Sequence, residues 1–146
     1  MASSACHDQV ILFIQPGDRE MDPKMYEDGL KVRKEVLGED YVNKAIQNAD
    51  DFNRPFQELV TEFCWGACWT RPGLDRRTRS MLNLAMLSAL GRAHELKLHI
   101  RGALTNGVSK EEIREVLIQS AVYAGIPAGV EAFRCAKEVF AELDQA

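Results

Sequence analysis

From Asp22 onward the apolar residues of this chain recur at helical spacing, and no stretch alternates convincingly as a strand would. That pattern restricts the fold to the all-α class. Asp22-Pro23 suits an N-cap followed by proline at the first helical position, and Tyr26, Leu30, Arg33 and Leu37 carry a helix to Gly38. A short helix is expected from about Asp40 to Asn48, with Val42, Ala45 and Ile46 inward. A third starts near Pro55 with Phe56, Leu59, Val60 and Phe63 on its apolar face. It runs into Cys64-Trp65-Gly66-Ala67-Cys68-Trp69 and breaks at Arg71-Pro72-Gly73.

Asp75 is a good N-cap for the next helix. Met81, Leu82, Leu84, Ala85, Met86, Leu87, Ala89 and Leu90 cover most of its circumference, which predicts a central, buried helix. After Gly91 a fifth helix is expected from about Ala93 to Thr105, ended by Asn106-Gly107. Ser109 with Glu112 forms a capping box, and Ile113, Val116, Leu117 and Ala121 follow on one face. Gly125 and Pro127 mark a break before a last helix carrying Val130, Phe133, Val139, Phe140 and Leu143. The expectation is a bundle of six or seven helices with short loops and no internal repeat.

The chain has 146 residues, which suits one domain with a substantial core. Eighteen Lys and Arg against 22 Asp and Glu leave a net charge of −4, which disfavours a general nucleic-acid binder. The longest unbroken apolar run, Val10–Ile14, is five residues, whereas a membrane span needs about 20. Residues 1–20 read as a loosely ordered extension, or as an arm whose apolar patch docks on the body or a neighbouring subunit. Residues 21–146 read as the folded domain. No Lys or Arg precedes Arg19, so no secretory signal is visible, and a cytoplasmic location with reduced thiols is expected. Cys64 and Cys68 are one helical turn apart and match neither Cys-x-x-Cys nor a zinc pattern, so no metal site is expected.

Three features could carry chemistry. Glu95 and His99 are neighbours on one helix face, flanking the stripe Leu96, Ile100, Ala103 and Leu104. A carboxylate there can orient the imidazole, raise its pKa and keep it a proton donor; the alternative is an ordinary surface pair. His94 lies away from the stripe and is expected to be solvated. Arg71, Arg76, Arg77 and Arg79, opposed only by Asp75, give a local charge of +3. Three of these arginines sit in the first turns of a helix, where the macrodipole disfavours cations. Either an anionic ligand or ion pairs to other helices must compensate. Trp65 and Trp69, one turn apart, could wall off a pocket or plug the core, and Tyr123 could be core or a donor at a pocket mouth.

Taken together, these segments resemble the carboxymuconolactone decarboxylase family. The residues that carry the resemblance are Trp65-Gly66, Trp69-Thr70-Arg71-Pro72-Gly73-Leu74, Arg77-x-Arg79-Ser80, Glu95-Leu96-x-x-His99, Asn106-Gly107-Val108 and Tyr123-Ala124-Gly125-Ile126-Pro127, in that order. Gly29-Leu30-x-Val32-Arg33 and Val36-Leu37-Gly38 add to it near the front, so it covers about Met21 to Leu143. The wider superfamily includes alkylhydroperoxidase D-like thiol peroxidases with a Cys-x-x-Cys four residues ahead of a histidine. Here those positions read Arg92-Ala93-His94-Glu95, with Ser80 in place of the upstream acid, so the dithiol is missing. The resemblance implies the decarboxylase branch, an all-α fold of the alkylhydroperoxidase D-like type and a ring-like homo-oligomer, a hexamer.

It also implies a reaction: cofactor-independent decarboxylation of a small dicarboxylate lactone, 4-carboxymuconolactone, to β-ketoadipate enol-lactone in protocatechuate breakdown. The conjugated lactone carbonyl is the electron sink, so no cofactor is expected. On this reading His99 is the proton donor or the lactone-oxygen partner, and Glu95 orients it. Arg71, Arg77 and Arg79 are candidates for the two carboxylates, and Trp65, Trp69 and Tyr123 for the pocket wall. Two other readings stand beside it. One is a thiol-dependent oxidoreductase using Cys64 and Cys68; the other is a non-catalytic helical oligomer that binds small acids.

Overall fold

The computed structural model describes residues 21–145. The expected extension, residues 1–20, lies outside the described residues. Among the described residues there are seven α-helices, one π-helical segment and no strand.

Helix α1 (Pro23–Leu37) begins as its sequence dictates: the Asp22 carboxylate accepts from the backbone N–H groups of Lys24 and Met25, with proline at the first position. It ends at Gly38, whose φ of 93° is costly for a residue with a Cβ. Helix α2 (Glu39–Gln47) follows directly, and α3 (Arg54–Leu59) starts with Pro55 near its N-terminus. The apolar stretch beyond α3 does not continue as an α-helix. Val60–Trp69 is π-helical, here called π1. Helical periodicity alone does not separate the two forms. Phe56, Leu59 and Phe63, expected in the core, are exposed on the outer side of this stretch.

π1 packs directly on α1 because two glycines let the backbones meet. A Cβ on Gly66 would lie 2.3 Å from the Met25 carbonyl oxygen, and one on Gly29 would lie 2.3 Å from the Thr61 carbonyl oxygen. Buried Arg33 fastens the same contact, donating from Nη1 to Thr61 Oγ1 (2.9 Å) and from Nη2 to Gln57 Oε1 (3.0 Å). Val32, Val36, Trp65 and Trp69 form a small apolar cluster between the two elements.

The larger core belongs to α4 (Arg76–Ala89), α5 (Ala93–Thr105), α6 (Lys110–Ala124) and α7 (Ile126–Leu143). Leu84, Leu96, Ile100, Ile113, Leu117 and Val139 are its fully buried large side chains. The Ser109–Glu112 capping box is present at the start of α6. Gly102 lets α5 approach α1 as well: a Cβ there would meet Val36 Cγ1 at 3.0 Å. Helix α5 therefore lies at the seam between the four-helix core and the α1–π1 layer.

Helix α4 departs from the expectation of a centrally buried helix. Leu84 and the small residues Ser80 and Ser88 are buried, whereas Leu82, Met86 and Leu90 are exposed in the single chain. An exposed apolar surface continues through Ile118, Val122 and Tyr123 of α6 to Ile126 and Val130 of α7. No helix among the described residues is long and apolar enough to cross a membrane.

Candidate active site

The seam at α5 gathers the groups with chemical potential. His99 lies on α5, Trp65 and Trp69 come from π1, and Asn83 comes from α4. Both indoles are buried, at 3% and 5% exposure, and stack with ring centroids 4.8 Å apart. The His99 ring lies almost parallel to Trp65, at 6.2 Å and 4°, and near Trp69 at 6.4 Å. An imidazole so enclosed has few orientations left.

Burial is also the main influence on its charge. Desolvation pushes the His99 pKa down to about 4, against a smaller raising effect of the Glu95 carboxylate. This corrects the expectation that Glu95 keeps the ring protonated near neutrality. Glu95 is exposed, and among the described residues it makes no hydrogen bond to His99. The side chain that does reach the ring is Asn83, whose Nδ2 lies 3.4 Å from His99 Nδ1. Sequence reasoning passed over Asn83, although a lone amide within the apolar run of α4 was a usable signal. His94 is exposed, as expected.

The arginine cluster divides by partner. Arg76 pairs with Glu35 of α1 at 2.6 Å. Arg77 pairs with Glu112 of the capping box and donates from Nε to the Gly107 carbonyl at 3.2 Å, tying α4 to the start of α6. Arg79 has no carboxylate partner among the described residues. Its Nη2 donates to the Arg71 carbonyl (3.0 Å), its Nη1 lies 3.6 Å from Cys68 Sγ, and its Nε is buried without a partner. The Arg71 side chain is exposed, with no carboxylate partner among the described residues. Arg79 and Asn83 are one turn apart on α4, so the acid-free guanidinium lies on the same helix face as the amide that meets His99. Asp75 caps α4 by accepting from the Thr78 N–H, which offsets part of the unfavourable placement of cations there.

A cleft of about 420 Å³ opens on the α1 side of Trp69 and Arg71, lined also by Asp28, Lys31, Asp75 and Arg76; His99, Asn83 and Arg79 are not in its lining. That volume suits a small organic acid. Tyr123 is placed elsewhere: it is 85% exposed and lines a groove with Met81, Leu82, Met86 and Val116. Cys64 and Cys68 are free thiols. Desolvation, with Cys68 adding to it, pushes the Cys64 thiol above its ordinary pKa, which makes thiolate chemistry harder. Among the described residues no group of three or more His, Cys, Asp or Glu is arranged to hold a metal.

Comparison with known proteins identifies the family. The model of the Carboxymuconolactone decarboxylase family matches residues 54–138, which include π1, Asn83, Arg79 and His99. The chain is 48% identical to a 4-carboxymuconolactone decarboxylase of Acinetobacter baylyi over 122 residues, covering 84% of this chain and 91% of that protein. It is 50% identical to a nitrosuccinic acid decarboxylase of Metarhizium robertsii over 113 residues, covering 77% of this chain and 79% of that protein.

Proposed function

Since the chain belongs to the carboxymuconolactone decarboxylase family, we propose that it is a carboxy-lyase that converts 4-carboxymuconolactone to β-ketoadipate enol-lactone and carbon dioxide. The single observation that supports the site assignment is the His99 imidazole stacked on two buried indoles and met by Asn83 of α4, the helix whose Arg79 has no acidic partner among the described residues.

The chemistry follows from the substrate's own bonds. The bond from the γ-carbon to its carboxylate breaks, and the electron pair moves through the conjugated system onto the lactone carbonyl oxygen. A proton drawn from solvent adds at the α-carbon, which returns the pair to carbon and gives the enol-lactone. The protein must hold the carboxylates, favour charge on the oxygen and supply a proton. Arg79 and Arg71 would hold the carboxylates; Arg77, already engaged with Glu112 of α6, would support them from α4. Trp65 and Trp69 would exclude water from the breaking bond. A neutral imidazole suits the oxygen, because its N–H donates without a full charge that would hold the departing carboxylate in place. Glu95 would moderate the ring's charge through space, and Tyr123 would act only where another subunit meets its groove.

The similarity to a nitrosuccinic acid decarboxylase favours a second substrate reading. A nitro group, like the conjugated lactone, can take the electron pair left by carbon dioxide, and nitrosuccinate is also a dicarboxylate. The exposed apolar surface of α4, α6 and α7 supports a homo-oligomer, with a hexamer as the expected size. Incubating the protein with each acid and following carbon dioxide release decides between the substrates. The first reading expects turnover of the lactone, with His99→Ala lowering kcat by at least about 10²-fold in a folded protein. Turnover of nitrosuccinate alone would transfer the assignment, and turnover of neither would leave a binding protein.

A further inference from the structure

We infer that Asn83 is a positioning residue that holds His99 in the tautomer with Nδ1 bare and Nε2 protonated, so that Nε2–H is the donor offered to the substrate. The inference rests on the reading of His99 as the lactone-oxygen partner, but its geometry stands apart from that reading.

A neutral imidazole carries one proton and has two places for it. Which nitrogen carries it is set by the hydrogen bond that the other makes. At His99 the stacked indoles hold the plane of the ring, and within that plane the Asn83 contact distinguishes Nδ1 from Nε2. Nδ1 faces the Asn83 amide nitrogen at 3.4 Å, and Nε2 has no partner among the described residues. With the amide nitrogen turned to the ring, the contact favours Nδ1 as acceptor and Nε2 as the protonated nitrogen. Glu95, the residue that the sequence suggested for this task, makes no hydrogen bond to the ring among the described residues.

The placement of Asn83 is built into the fold. Asn106 at the end of α5 donates from Nδ2 to Ser80 Oγ on α4 at 2.9 Å, which fixes the register of the two helices beside the Asn83–His99 contact. Asn83 is half-buried within an apolar helix, where an amide costs free energy unless it is hydrogen-bonded. Its contact with His99 is the hydrogen bond it makes among the described residues. The electrostatic consequence matters for an acid substrate. The opposite tautomer would offer an anionic substrate a lone pair on Nε2, whereas Nε2–H offers it a donor.

Two variants and one spectroscopic measurement test this. Nitrogen-15 NMR of the intact protein at pH 7 reports which His99 nitrogen is protonated. The expected result is Nε2–H in the unmodified protein. Asn83→Asp offers an acceptor where the amide donates, so the proton should move to Nδ1 or the ring should become imidazolium. Asn83→Leu removes the donor, so both tautomers should appear. In both variants kcat on 4-carboxymuconolactone should fall by on the order of 10²-fold, with KM changed less.

An unmodified protein protonated on Nδ1 would overturn the inference. So would variants that keep the original tautomer, and so would variants that lose it while keeping full turnover. If the variants do not fold, the spectrum of the unmodified protein still decides the tautomer. If the unmodified protein turns over neither acid, the proposed reaction fails while the spectra still report on Asn83.

Discussion

His99 combines two influences of opposite sign: burial, which disfavours its charge, and Glu95, which favours it weakly. Its pKa of about 4 in the folded protein lies below the ordinary 6.5, so in that interval the unfolded chain binds the extra proton. The stabilisation is complete above pH 6.5 and is lost as pH falls toward 4, by on the order of 3 kcal/mol. Urea titrations across that range should show the loss, and His99→Gln should flatten it; an unchanged slope would mean that the ring is charged in the folded state. The arginines make a second contrast. Arg79→Met should raise KM by about tenfold or more, because its guanidinium has no acidic partner in the fold. Arg77→Met should instead lower stability by about 1 kcal/mol or less, since its ion pair with Glu112 is partly exposed. Equal KM effects from both would place Arg77 on the substrate.

The π-helical segment positions both indoles, and it exists against a glycine contact. In Gly66→Ala the new methyl would meet the Met25 carbonyl, a backbone atom in α1 that cannot swing aside. A loss of about 3 kcal/mol is expected, together with reduced activity as Trp65 shifts from His99. Gly73→Ala, whose Cβ would meet nothing within 4 Å, is the control and should melt near the unmodified protein. Helix boundaries near caps were legible because capping is local: Asp22, Asp75 and the Ser109–Glu112 box each act within four residues. The change from α3 to π1 was not legible. Its i→i+5 bonding leaves the same apolar composition, and only the fit against α1 distinguishes it.

Across the molecule, exposed apolar side chains run from Leu82 and Met86 on α4 to Val122 and Val130. If copies of the chain cover this surface, Met86→Asp should lower the sedimentation mass toward that of one chain. Because the mutated position is more than half exposed, the helical circular dichroism should be retained. An unchanged mass would place the subunit contact elsewhere. The same surface explains why α4 misled the sequence reading: an all-round apolar helix is buried in an assembly as readily as in a single core.

What the sequence determined by itself is what depends on near neighbours in the chain. Spacing, caps and breakers set the all-α class and most helix ends, and the Trp65–Trp69 stack follows from its interval. The family resemblance added the chemistry. Only the tertiary structure decided which arginine is already paired, which residue meets His99 Nδ1 and whether that ring is charged. Each of these is set by desolvation or by a contact between residues 16 to 41 apart along the chain. Electrostatic free energy depends on distance in space and on access to water, and neither can be read from separation along a sequence.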